Sequence, residues 1–106
     1  MDQGTAYGFG QIGSAYLADA DVDYTPPSGK VVVSILSLDD ATEFNTLTPV
    51  NTDDAAYFGT ITPVAGNGTN SDAVPASETF PAGTTIFGRW STVQIDAGAV
   101  ILYFGY

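Results

Sequence analysis

The closing stretch FPAGTTIFGRWSTVQIDAGAVILYFGY, Phe80 to Tyr106, constrains the fold more than any other part of the chain. It holds the longest unbroken apolar run, Ala99 to Phe104, together with the only Trp and the only Arg. That run is far shorter than the ~20 residues a helix needs to cross a bilayer. Turn chemistry frames it on both sides. Pro81 suits the second position of a type I turn that Gly83 closes at the fourth. Asp96-Ala97-Gly98 suits a three-residue hairpin loop with Gly98 left-handed. Such a loop sets Val93 opposite Ile101, Ser91 opposite Tyr103 and Arg89 opposite Gly105. On the other face it sets Gln94 opposite Val100, Thr92 opposite Leu102 and Trp90 opposite Phe104. This hairpin is expected to form the middle of the fold. Both faces of Ala99–Phe104 are apolar, whereas an exposed antiparallel sheet has one polar face. One side therefore belongs to the core, and the other needs a cover from the N-terminal residues or from another subunit.

The preceding chain reads as short strands between turns. Gly4, Gly8, Gly10 and Gly13 make an independent helix or strand costly in the first fourteen residues. Tyr7, Phe9 and Ile12 between them mark an extended arm, residues 1–14, that docks on this domain's own sheet or on a neighbouring subunit. Tyr16 to Tyr24 alternates, with Tyr16, Ala18, Ala20, Val22 and Tyr24 on one face and Leu17, Asp19, Asp21 and Asp23 on the other. Period two predicts a half-buried strand with an acidic outer face. Thr25 to Lys30 is a turn. Val31–Leu38, apolar on nearly both faces, belongs mid-sheet or beneath a second layer. Thr42–Val50, rich in Thr and ending near Pro49, predicts an irregular strand. Ala55–Thr62 predicts another, with Gly59 at a bulge, and residues 63–79 one long exposed loop of the kind that usually serves a function. About six or seven short strands with turn signals between them predict a single all-β domain over residues 15–106, an antiparallel β-sandwich or barrel.

Composition narrows the functions. With no Cys and no His, disulfides, thiol nucleophiles and the usual histidine base are excluded. Twelve Asp and Glu against Lys30 and Arg89 give a net charge of −10, which repels nucleic acid and anionic membranes. The acidity serves solubility, or attraction to a basic surface or to divalent cations. No basic leader followed by an apolar core opens the sequence, so cytoplasmic synthesis without a visible export signal is expected. The sequon Asn67-Gly68-Thr69 reads as a turn on that account.

The constellations that could carry chemistry fall away one by one. Asp19-x-Asp21-x-Asp23 opens like a calcium loop, yet Tyr24 and Lys30 stand where Gly and Glu are required. Asp39-Asp40 and Asp53-Asp54 are turn formers first. Glu43 and Glu78 flank polar loop sequence, and no spacing marks them as a glycosidase pair. A Ser or Thr nucleophile has no base partner. Gly8-Phe9-Gly10-Gln11-Ile12-Gly13 fits GxGxxG in letters alone, with no preceding strand and no following helix. Neither catalysis nor a bound cofactor or metal is expected. Arg89 reads as half of an ion pair or as an interface contact, and Trp90 as core or ligand platform. Tyr7, Phe9, Tyr57 and Phe58 carry no spacing that separates sugar stacking from packing.

Several stretches resemble a known family. YGFGQIGSAYL, TPPSGKVVVSI and TFPAGTTIFGRWSTVQIDAGAVILYFG are similar to small virion structural proteins of tailed bacteriophages, especially those of marine bacteria and cyanobacteria. The pattern is a Gly-aromatic arm, a P-x-G-K-hydrophobic strand, then F-P-A-G-x-T and G-R-W before a last apolar strand. It falls here on Phe80–Thr85, Gly88-Arg89-Trp90 and Ala99–Tyr103, while Thr42–Ser77 matches only in composition. The resemblance implies a non-enzymatic capsid decoration, or cement, protein on the head exterior that bridges major capsid proteins. It also implies a dimer or trimer matching capsid symmetry. Interface candidates under that reading are Tyr7, Phe9, Ile12, Arg89, Trp90, Ile101, Tyr103 and Tyr106. A tail, collar or fibre component with a receptor- or glycan-binding β module is the alternative.

Overall fold

The computed structural model describes residues 12–50, 59–60 and 72–106. Its strands are β1 (Ser14–Leu17), β2 (Val31–Ser37), β3 (Glu43–Pro49), β4 (Thr85–Ala97) and β5 (Val100–Gly105). They pair into one antiparallel sheet in the order β1-β5-β2-β4-β3. The expected all-β class is found, as a single curled sheet. Most of the expected arm (Tyr7 and Phe9 included), Asp53-Asp54, most of the 55–62 strand with Tyr57 and Phe58, and the first part of the 63–79 loop lie outside the described residues.

The doubly apolar β2 takes the middle place that its composition demands, between β4 and β5. A bulge at Val33 lets it face both ways. Val32 stands opposite Trp90 and Phe104, and the register then shifts so that Ser34 stands opposite Phe87 and Tyr103. The extra residue turns Val32 and Ile35 to the same interior, although three positions separate them.

β4 changes neighbours along its length. Its first half, Thr85 to Trp90, runs beside β2, and its second half, Trp90 to Ala97, beside β3. Thirteen extended residues would span roughly 40 Å over twelve steps of ~3.3 Å, against a largest principal-axis extent of 36 Å. Thr85 sits opposite Leu36, and Val100, just past the far end of β4, sits opposite Ser37. The strand therefore bends and brings the chain back to the end of β2 from which it left. Trp90, Val93 and Ile95 on the concave side join Val32, Ile35, Phe44, Leu47 and Leu102 in one core.

This path overturns the expected β4–β5 hairpin. β2 lies between the two strands, so none of the pairs Val93–Ile101, Ser91–Tyr103, Arg89–Gly105, Gln94–Val100, Thr92–Leu102 and Trp90–Phe104 forms. A local hairpin would put β2 at an edge, with one apolar side and one row of backbone groups open. Flanking it satisfies both. Gly98 is left-handed as expected, at φ +88, but it serves a tight corner. A Cβ there would come 2.5 Å from Thr42 Oγ1, and the Leu38 N–H donates to the Ala99 carbonyl at 2.9 Å. Ser37 Oγ lies 2.9 Å from both Thr42 Oγ1 and the Phe80 carbonyl oxygen. The corner thus fastens the ends of β2 and β4 to the entries of β3 and β5.

Two further expectations change. The Tyr16–Tyr24 strand stops at Leu17, and its faces are reversed: Leu17 is buried, whereas Tyr16 is 68% exposed. Ala18 and Ala20 bury too little surface to hold the alternation, and Asp21 adopts φ +65. The chain then meets β4 again, where the Tyr24 N–H donates to the Val93 carbonyl at 2.8 Å and Val93 returns the bond at 3.0 Å. The turn before β4 lies one residue later than expected. The Thr84 N–H bonds the Pro81 carbonyl at 3.1 Å, which makes Pro81 the first residue and Gly83, at φ +88, the third. Positive φ at the third place is the type II arrangement. β3 is irregular as expected, with three register shifts against β4.

Candidate interaction surface

Directly paired residues of a sheet project to the same side, so the register lays out the convex face of β1, β5, β2 and β4. Tyr16, Ile101, Leu36 and Thr85 make one row across it, and Ser14, Tyr103, Ser34 and Phe87 the next. Beyond them the bulged Val33 lies over Gly105, where an added Cβ would come 2.5 Å from Val33 Cγ1. Phe87 is 70% exposed, while Ser34, small and set between Phe87 and Tyr103, is only 2% exposed. Ile101, Tyr103 and Leu36 are half-buried. Val100, Leu102 and Phe104 fill the interior, so this is the face on which the expected cover of the last strand would lie.

The expected interface residues divide. Ile101 and Tyr103 lie on this face. Arg89, also facing out, donates from Nη1 to the Tyr106 main-chain oxygen at 2.7 Å, and Tyr106 is 67% exposed. Trp90 belongs to the core: it is fully buried, one position out of phase with Phe87 and Arg89, and presents no surface. Ile12 packs partly against the core, and its carbonyl accepts from Lys30 Nζ at 2.6 Å. The Phe104 N–H donates to the Gly13 carbonyl at 3.0 Å. The last residues of the expected arm are thereby tied to their own sheet. Tyr16, Phe87 and Leu36, which the sequence does not single out as interface residues, share the face with Ile101 and Tyr103. Phe87 was legible in principle, since Thr85, Phe87 and Arg89 alternate against Ile86, Gly88 and the buried Trp90.

The electrostatics divide β4 in two. Around its second half, Asp21 Oδ1 accepts from Asn45 Nδ2 at 2.8 Å, and Asp23 Oδ1 from Gln94 Nε2 at 2.8 Å. Asp96 ends the strand beside them, 3.4 Å from Asn45 Nδ2. These carboxylates hold the loop after β1 against β3 and β4. Around the first half, the two rows contain no Asp or Glu. The described Asp and Glu residues lie elsewhere, in the 18–24 loop, the 39–43 turn, the 72–79 segment and at Asp96. Tyr24, stacked on Phe104 with ring centroids 6.2 Å apart, has its phenol pushed above the ordinary pKa by burial.

No protein-family model, curated protein or solved structure matches this chain.

Proposed function

We propose that the chain is a non-enzymatic virion structural protein, a capsid decoration protein that bridges major capsid proteins on the head exterior of a tailed phage. The observation that carries this reading is where the resembling residues fall. Lys30-Val31-Val32-Val33 opens β2, Phe80–Thr85 leads into β4, Gly88-Arg89-Trp90 lies within β4, and Ala99–Tyr103 enters and runs along β5. Segments distant in sequence thus converge on the three adjoining strands β5, β2 and β4. The pattern describes one structural unit, with Trp90 inside and Arg89 outside. Many copies bound at repeated lattice sites make modest contacts cumulatively strong. Mass analysis of purified virions with copy-number counting, combined with imaging of the particle surface, tests the reading. Hundreds of copies on the shell are expected; absence from the shell, or presence in tails alone, refutes it.

A tail, collar or fibre module that binds a glycan is the second reading. The exposed rings of Tyr16, Phe87 and Tyr106 favour it, since an aromatic face can stack against sugar rings. Binding on a glycan array, with few copies per particle, would select it over decoration.

A further inference from the structure

We propose that two copies of this chain associate through the convex face of β1, β5, β2 and β4, placed face to face about a two-fold axis. The inference rests on the geometry of the face and stands apart from the decoration reading. Three observations carry it.

The first is exposure. Tyr16 and Phe87, among the most exposed large apolar side chains described, stand on this face with Ile101, Tyr103 and Leu36 between them. Contiguous apolar surface of this kind marks an interaction site more often than scattered exposed residues do.

The second is charge, and it selects the occupant. Each copy carries a net charge of −10, so two copies repel wherever their carboxylates meet. The 18–24 loop, the 39–43 turn and the end of β4 at Asp96 all bring carboxylates to such a contact. The two rows of the convex face bring none. A basic partner would gain most from the acidic surfaces and least from this one. A second copy gains here and loses elsewhere. An isologous contact needs a patch compatible with itself, and a largely apolar patch without carboxylates, with Arg89 at its border, satisfies that condition.

The third is size, which sets the strength. Four strands about 4.8 Å apart, β1 offering four residues and the others about six at ~3.3 Å each, give a plan of roughly 19 by 18 Å. Two such faces in contact remove on the order of 700 Å² in total, well under the ~1,600 Å² of a standard stable interface. The dimer is accordingly reversible and forms at high protein concentration, and added salt tightens it by screening the repulsion between copies.

Sedimentation velocity of the whole chain from about 10 µM to about 1 mM tests this, at roughly 0.02 M and 0.5 M NaCl. A reversible monomer–dimer equilibrium that tightens severalfold at the higher salt is expected. Phe87→Glu should weaken association tenfold or more and leave the circular dichroism spectrum and thermal midpoint nearly unchanged, because the ring is mostly exposed. Val22→Glu, which alters an exposed apolar residue on the acidic loop, should leave association as it was. A chain that stays monomeric throughout, or that dimerises equally well with Phe87→Glu, overturns the proposal. So does a monomer that dimerises only when residues 1–11 are removed, since its own N-terminal segment would then be the occupant. The measurement uses purified protein without virions, so its failure is distinguishable from failure of the decoration reading.

Discussion

At the scale of the residue, the side chain that bears most on stability is Trp90. It is fully buried and stands where β4 passes from β2 to β3. Trp90→Ala should cost about 3–5 kcal/mol, enough to unfold a domain of this size or bring it close, as read from urea denaturation. Tyr24 makes a subtler test. Burial raises its phenol pKa above 10.0, so the folded state keeps the proton at a pH where the unfolded chain has released it. Stability is unaffected below pH 10.0 and falls as the pH rises through the window between the unfolded and folded values. Tyr24→Phe should remove that part of the alkaline loss, measured as the difference between the two thermal midpoints against pH.

The elements show where local signals mislead. Asp96-Ala97-Gly98 has the composition of a hairpin loop, and Gly98 takes the left-handed conformation such a loop requires. The backbone preference was legible; the choice of partner strand was not. A hairpin between β4 and β5 would strand β2 at an edge, whereas insertion of β2 completes the hydrogen bonds of three strands. Gly98→Ala tests the corner. Left-handed φ costs a residue with a Cβ about 1–2 kcal/mol, and the approach of Thr42 Oγ1 adds to that, so a clear drop in thermal midpoint is expected. The bulge gives a second test. Deleting Val33 removes the register shift that turns both Val32 and Ile35 inward. One of them must then face out, at a cost of about 1.5–3 kcal/mol for the exposed side chain. Hydrogen exchange should show faster exchange across β2 in that variant.

For the whole molecule, the last residues of the expected 1–14 arm are held by the sheet: Ser14 pairs with Tyr103 and the Ile12 carbonyl accepts from Lys30. A chain beginning at Ile12 should therefore fold with a thermal midpoint within a few degrees of the full chain and, under the proposed decoration role, bind virions more weakly. A chain beginning at Ala18 loses β1 and should be clearly less stable. The all-β class, the central place of β2, the irregularity of β3 and the surplus apolar face of the last strand were all readable from periodicity and turn residues. Each depends on neighbours close in sequence, where the β period of two and the demands of Gly and Pro act directly. Strand order, the bend in β4 and the membership of the convex face come from pairings between residues far apart. Tyr16 shows the difference: alternation correctly separated it from Leu17, but only the packing against β5 decided which of the two faced the core. Periodicity divides a strand into two faces, and the tertiary structure alone selects which one is buried.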